Sequence, residues 1–221
     1  MPLRVSKGLD IPVRRAPGRE LLSGFLTERV AVLPAGAPPE PGELNDRLGV
    51  QTVSQRPRDE WCWAACAEMV LRFFGVTLDK CQVAGRALRR NDCCPSSVGC
   101  DAGLDVGQVD EAFERAGLAG NRFDALTFDE VRDQIEGRPA LGDPGLSLPR
   151  RPVVAGIQWQ NGGGHLVVVS GWRVAADSIR YLKVNDPFYT SGDIRYQDLQ
   201  SHYGPNDNGR WVHTWADLRR V

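Results

Sequence analysis

Cys62 sits between two tryptophans in Trp61-Cys62-Trp63-Ala64-Ala65, with Gln55 just upstream. It opens a run, Asp59 to Gly75, in which Ala64, Ala65, Met69, Val70 and Phe73 recur at steps compatible with a helix. Gly75 supplies the left-handed stop on which many helices end. The run predicts a buried helix with a thiol in its first turn, where backbone N–H groups lack partners and the helix dipole favours negative charge. A thiol so placed loses its proton more readily than a free one, which makes Cys62 a candidate nucleophile. The competing reading is a small buried apolar residue, the usual fate of a free cysteine. Cys66, one turn along the same face, is the rival nucleophile, but inside the helix it loses the N-terminal donors.

A thiol nucleophile needs a base to take its proton and a third group to orient that base. The chain offers three histidines. His165 follows Asn161-Gly162-Gly163-Gly164 and opens the apolar run Leu166-Val167-Val168-Val169, where a glycine turn enters a buried strand and substrate backbone can come close. Taken alone it reads as a satisfied core histidine. His202 lies in a polar stretch and reads as solvated, and His213, in Trp211-Val212-His213-Thr214-Trp215, reads as a strand residue. For the orienting group, Val184-Asn185-Asp186-Pro187 ends a strand. Successive residues of an extended chain face opposite ways, so only one of Asn185 and Asp186 can meet His165. Asp186 is the candidate, because a carboxylate fixes the imidazole tautomer and stabilises imidazolium, and Pro187 keeps it extended. The plain alternative is an ordinary Asn-Asp-Pro turn.

Positioning these groups requires a helix, two neighbouring strands and a seam between them. Residues 1–45 hold 7 of the 15 prolines and read as an extension, with Leu26–Leu33 as its strand-like run and Pro34–Gly42 as a semi-rigid segment. In the domain expected over 46–221, Leu48–Val53 predicts a brief strand ahead of the Cys62 helix. Thr77–Arg90 predicts a second helix facing Leu78, Val83, Ala84 and Leu88 inward. A cysteine-rich loop, 91–103, leads to a helix over Val106–Ala116. Another helix starts at Thr127, where Thr127 and Glu130 make a capping box. After a Pro/Gly loop at 142–151 the grammar changes to strands at Pro152–Trp159, His165–Val174, Ile179–Asn185 and Trp211–Trp215. Helices first and strands second make an α+β chain whose halves pack against each other.

Composition narrows the function classes. The 27 basic and 28 acidic residues leave a formal charge of −1. Only Lys7, Lys80 and Lys183 are lysines, and the arginines are spread along the chain, so no nucleic-acid surface is expected. The first twenty residues lack an uninterrupted apolar core, so no conventional secretory signal is expected. The apolar runs are too short to cross a bilayer, and no membrane partner is expected. The expected location is cytoplasmic, or exported by a route without a cleavable signal. All six cysteines, Cys62, Cys66, Cys81, Cys93, Cys94 and Cys100, fall in one segment. If Cys62 stays free, the other five allow at most two disulfides and a leftover thiol. The lack of a signal pulls against disulfides. No Cys-x-x-Cys pair or nearby histidine supports zinc. Disulfides and free thiols both stay open, and no cofactor is called for.

In order, Gln55, Trp61-Cys62-Trp63-Ala64-Ala65, Gly163-Gly164-His165-Leu166 through Gly171-Trp172, and Val184-Asn185-Asp186-Pro187 resemble the blocks of papain-like cysteine peptidases. The likeness is greatest to the compact bacterial branches, the bacteriocin-leader-processing peptidases and the type III effector proteases, and it runs roughly from 48 to 215. It implies a papain-like fold, with the nucleophile helix in an N-terminal helical half packed on a C-terminal antiparallel sheet. It also implies Cys62 as nucleophile, His165 as base, Asp186 as orienter and Gln55 as oxyanion donor beside the Cys62 N–H. The substrate would be a peptide or protein, cleaved through a thiol ester. Acyl transfer and glutamine deamidation use the same residues, and an inactive peptide-binding groove is a further alternative. Two features depart from the papain type: Arg56-Pro57-Arg58-Asp59-Glu60 replaces a glycine-rich link, and Asp186, in place of asparagine, fits the leader-peptidase branch. The cysteine-rich loop is similar to sequences of this bacterial group and carries no assigned role. The extension is expected to cover the cleft or be removed by it, with a solvated tail or the delivery segment of a secreted effector as the alternative.

Overall fold

The run around Cys62 forms helix α1, Cys62–Phe73, and ten of its twelve residues are buried. A helix apolar on nearly every side has to lie inside the protein. Its one buried carboxylate, Glu68, is paired with Arg72 and accepts the Lys80 N–H at 2.7 Å. Gly75 follows at φ 78°, the left-handed stop expected of it.

The computed structural model describes residues 44–95 and 97–221. Residues 1–43 of the expected extension, including the strand-like run at 26–33, lie outside the described residues. In chain order the elements are β1 Leu44–Arg47, α1, α2 Lys80–Leu88, a 3-10 turn Val98–Cys100, α3 Val106–Ala116, β2 Leu118–Asp124 and α4 Phe128–Glu136. They continue with β3 Val153–Trp159, β4 Gly164–Val174, β5 Arg180–Asn185, β6 Gly192–Arg195, α5 Tyr196–Ser201 and β7 Gly209–Arg220. Among the described residues no helix is long and apolar enough to cross a membrane.

The strands form one antiparallel sheet in the order β2-β7-β3-β4-β5-β6, with β1 pairing the far end of β4. Alternation along the central strands feeds two cores. Val154, Leu166 and Val168 pack with α1, α2 and α3, whereas Val153, Ala155, Val167 and Val169 pack with Phe128, Val131 and Ile135 of α4. Each fully buried valine or leucine contributes about 1.5–3 kcal/mol relative to exposure, so the sheet's central strands are the rigid frame of the molecule.

The expected α+β arrangement is present, with local differences. No strand forms over Leu48–Val53. That segment runs as coil, tied by the Leu48 N–H to Ser170 O at 2.7 Å, and the strand lies just before it as β1. The second helix starts at Lys80, not Thr77, because Asp79 stands extended (φ −70°, ψ 152°) and its N–H is taken by the Gln82 side chain at 3.0 Å. The capping box at Thr127 and Glu130 and the helix over Val106–Ala116 form as expected. β7 runs well past Trp215, to Arg220. β2, β6 and α5 carry no clear sequence signal: β2 (Leu-Ala-Gly-Asn-Arg-Phe-Asp) is a mostly exposed edge strand, and the other two are four and six residues long. Of the cysteines, Cys81 bonds Cys94 and Cys93 bonds Cys100, leaving Cys62 and Cys66 as thiols.

Candidate active site

α1 begins at Cys62 with no side-chain cap and no acidic residue in its first turn. The first bond of the helix is from the Ala65 N–H to Trp61 O, at 2.9 Å, so the N–H groups of Cys62, Trp63 and Ala64 have no carbonyl one turn earlier to bond. The two tryptophans are buried, and both donate their indole N–H to the cysteine-rich segment, Trp61 to Cys100 O at 2.6 Å and Trp63 to Ala102 O at 3.0 Å. They anchor the start of the helix at the seam between the helical half and the sheet.

On the sheet side, His165 is the second residue of β4 and pairs with Ile157 of β3. β5 returns antiparallel with Asn185 opposite Val168, so Asp186, one residue past β5, lies at the same sheet end as the start of β4. His165 Nε2 stands 2.9 Å from Asp186 Oδ1. Asn185 faces away: its Oδ1 accepts the Ser170 hydroxyl at 2.5 Å, and its amide donates to Val50 O at 3.2 Å and Thr52 Oγ1 at 2.8 Å. With Nε2 engaged by Asp186, Nδ1 is the ring nitrogen left over, and Cys62, which borders the same cavity as His165, lies close enough to favour the charged imidazole.

Asp186 is 1% exposed, and its oxygens are filled with donors. Oδ1 also accepts the N–H groups of Phe188 at 2.7 Å and Tyr189 at 2.8 Å, and Oδ2 accepts the Tyr203 hydroxyl. Burial opposes the charge of both partners. For Asp186, burial would raise the pKa, but the His165 charge and hydrogen bond, the Tyr203 hydroxyl and the Tyr189 N–H draw it below 3.8. For His165, burial would lower the pKa. The charge and hydrogen bond of Asp186, joined by the hydrogen bond and charge of Cys62, outweigh burial and push it up to about 10. The imidazole is thus held protonated at neutral pH. Cys66, fully buried, is pushed well above its ordinary value by burial and by the charges of Cys62 and Asp186, so it stays a thiol.

Tyr189 stands edge-on to the histidine ring at 5.7 Å, and two further aromatic residues, whose roles sequence reasoning did not pick out, flank the His165–Asp186 pair. Trp159 lies near-parallel to His165 (centroids 6.1 Å, planes 19° apart) and near-parallel to Tyr203 (6.4 Å, 19°). Trp159 thus meets the histidine of the pair and Tyr203 its carboxylate. The other two tryptophans of the sequence blocks, Trp63 and Trp172, part ways. Trp63 lines a small apolar cavity of about 60 Å³ beside Cys62 and His165, with Val109, Ile157, Leu166 and Trp215. Trp172 packs edge-on against Phe128 in the far core. Tyr203 had no usable signal, since it sits in a polar, turn-rich stretch. Of the other histidines, His202 is exposed and contacts Ser201 Oγ at 2.9 Å, while His213 is half-buried on β7 and borders the cavity. Burial and the Arg122 charge hold His213 below the usual imidazole range.

Gln55 is 1% exposed. Its backbone N–H donates to Pro187 O at 2.9 Å, which ties it to the turn carrying Asp186. Its side-chain Nε2 donates to Asp59 O at 2.5 Å, with Arg58 O further off at 3.4 Å.

A helix-borne cysteine facing a strand-borne histidine across the seam between helices and an antiparallel sheet is the papain-like arrangement, and the class is that of cysteine peptidases. The chain belongs to the peptidase C39-like family, whose sequence model matches residues 47–214. Among solved structures it is similar to a double glycine motif protease from an AMS/PCAT transporter, solved with its leader peptide. Identity there is 17%, over 80% of this chain and 95% of that one, with a TM-score of 0.47. The peptidase domain of Streptococcus ComA is 12% identical over 76% and 98% of the two chains, with a TM-score of 0.46. A C39-like peptidase from Bacillus anthracis is 15% identical over 80% and 100%, with a TM-score of 0.49. No curated protein sequence matches the chain.

Proposed function

We propose that the protein hydrolyses peptide bonds through a thiol ester on Cys62, with His165 as proton carrier, Asp186 as its orienter and Gln55 as an oxyanion donor. The observation that carries this reading is the buried His165–Asp186 contact of 2.9 Å beside Cys62, with the cysteine and the histidine bordering one cavity. The Cys62 thiolate attacks the carbonyl carbon, and the C=O electron pair moves to the oxygen, where the Cys62 N–H and Gln55 stabilise it. As the oxyanion collapses, the C–N bond breaks and the His165 imidazolium gives its proton to the leaving amine. Water then adds to the thiol ester with His165 taking its proton, and the acid departs as Cys62 leaves as thiolate. The apolar cavity beside the pair accepts an apolar side chain of the substrate. Two disulfides favour the exported location over the cytoplasmic one, because reducing compartments keep thiols reduced.

The test is a peptide-library digest read by mass spectrometry. Cleaved chains support hydrolysis, and a one-unit mass change would point to deamidation instead. Cys62→Ala is expected to abolish turnover. Gln55→Ala should keep a residue roughly a hundred- to a thousandfold below wild type. At mildly acidic pH, iodoacetamide is expected to label Cys62 and spare Cys66.

A further inference from the structure

We infer that Asp101, in the cysteine-rich segment, is a positioning residue for Gln55 and so for the oxyanion site; this rests on the peptidase reading above. The argument turns on one peptide bond. The N–H of Glu60 donates to Asp101 Oδ1 at 3.0 Å, and the C=O of the same peptide plane, that of Asp59, accepts Gln55 Nε2 at 2.5 Å. In a trans peptide these two groups point in opposite directions, so the plane is gripped from both ends. Asp101 Oδ2 adds a longer contact, 3.4 Å, to the Asp59 N–H. A carboxylate on the N–H side also polarises the carbonyl on the other side into a better acceptor.

Little else orients the Gln55 amide. Its Oε1 is buried without a hydrogen-bond partner among the described residues, and turning the amide over would set that oxygen against the carbonyls of Asp59 and Arg58. One Nε2 hydrogen is spent on Asp59 O, and where that carbonyl sits decides where the second hydrogen points. The rest of the segment is held from the same source. Lys80 Nζ donates to Ser54 O at 2.5 Å and Arg56 O at 2.8 Å, on either side of Gln55. The disulfides join these holders: Cys81 follows Lys80, Cys100 precedes Asp101, and their partners Cys94 and Cys93 are adjacent. The cysteine-rich loop is therefore a brace for the non-glycine link between Gln55 and Cys62, built from two disulfides and hydrogen bonds of charged side chains to its backbone.

The test compares wild type, Asp101→Ala, Asp101→Asn, Gln55→Ala and the Asp101→Ala/Gln55→Ala pair on a fluorogenic peptide drawn from the library digest. Asp101→Ala is expected to lower kcat roughly ten- to a hundredfold, part of the loss typical of a deleted oxyanion donor, with KM within about twofold. Asp101→Asn, which keeps a carbonyl acceptor for the Glu60 N–H, should recover most of it. The double variant should fall no further than Gln55→Ala, since both changes remove the same interaction. Alkylation of Cys62 by iodoacetamide, a displacement that forms no oxyanion, should keep its wild-type rate. Additive losses, or alkylation that falls together with kcat, would overturn the inference. A second measurement is independent of turnover: NMR hydrogen exchange at the Asp59 and Glu60 amides should speed up in Asp101→Ala while the interior of α1 is unchanged. A wild-type protein that cleaves nothing would sink the peptidase reading alone. Unaltered exchange at those two amides would sink this one.

Discussion

Replacing Asp186 with asparagine separates the charge of the orienting group from its shape. The asparagine Oδ1 can still accept from His165 Nε2 and from the N–H groups of Phe188 and Tyr189, and its amide can donate to a Tyr203 hydroxyl turned the other way. What disappears is the carboxylate charge, the largest influence raising the His165 pKa, while burial, which lowers it, stays. The gap between 6.5 and about 10 corresponds to roughly 5 kcal/mol at about 1.4 kcal/mol per pH unit. Without the charge, only Cys62 is left to oppose burial, and the imidazolium should fall from about 10 towards its ordinary value of 6.5. Once back at that value, roughly a tenth of the molecules at pH about 7.5 carry the proton needed by the leaving amine, against nearly all in wild type. The expected result is a kcat/KM profile whose alkaline limb moves from near pH 10 to the neutral range, with activity at pH about 7.5 down roughly tenfold or more and partly restored on acidification. A 15N titration of the imidazole reads the same shift directly. Stability supplies an independent arm. Because the folded pKa is raised, the stabilisation is fully present below about 6.5 and is lost as pH climbs towards 10. Urea midpoints should show that loss in wild type and not in Asp186→Asn. An alkaline limb that stays where it was in the variant would refute the charge argument.

Tyr203→Phe removes the hydroxyl on Asp186 Oδ2 and leaves the ring packed on Trp159. Since that hydroxyl helps hold the Asp186 pKa down, the acid limb of activity should move upward with little change in fold, and an unmoved acid limb would show that the contact is only structural. Away from the site, Asp217 sits on β7 at φ 54° and accepts from Leu141 N at 2.9 Å, Gly142 N at 2.8 Å and the Gln134 amide at 3.0 Å, beside the fully buried Arg151. Asp217→Ala takes the carboxylate countercharge from that guanidinium, which keeps Gln134 Oε1 and carbonyl acceptors, and leaves the Leu141 and Gly142 N–H groups unpaired; it is expected to cost about 3 kcal/mol of unfolding free energy in urea. A loss under about 1 kcal/mol would mean that the loop re-pairs elsewhere.

Local chemistry was legible in the residues wherever a pattern had one physical meaning. The buried helix from Cys62 follows from apolar spacing, and the capping box at Thr127 and Glu130 from hydrogen-bonding types at a set interval. The strands beginning near Val153, Gly164 and Arg180 follow from apolar runs between glycine-rich or polar turns. That Asp186 and not Asn185 faces His165 was readable from the two-residue period of a strand joined to the preference of imidazolium for a carboxylate. Long-range partners were not readable, because a hydrogen bond between residues far apart in the chain leaves no local periodicity. The Tyr203 hydroxyl on Asp186, the Trp159 stack, the pairing of Cys81 with Cys94 and Cys93 with Cys100, and the peptide plane between Asp101 and Gln55 are of this kind. Residue types and their order determined which groups could react. Only the packing of three helices over one face of a sheet decided which groups stand next to them, and it is those neighbours that set the charge on the imidazole.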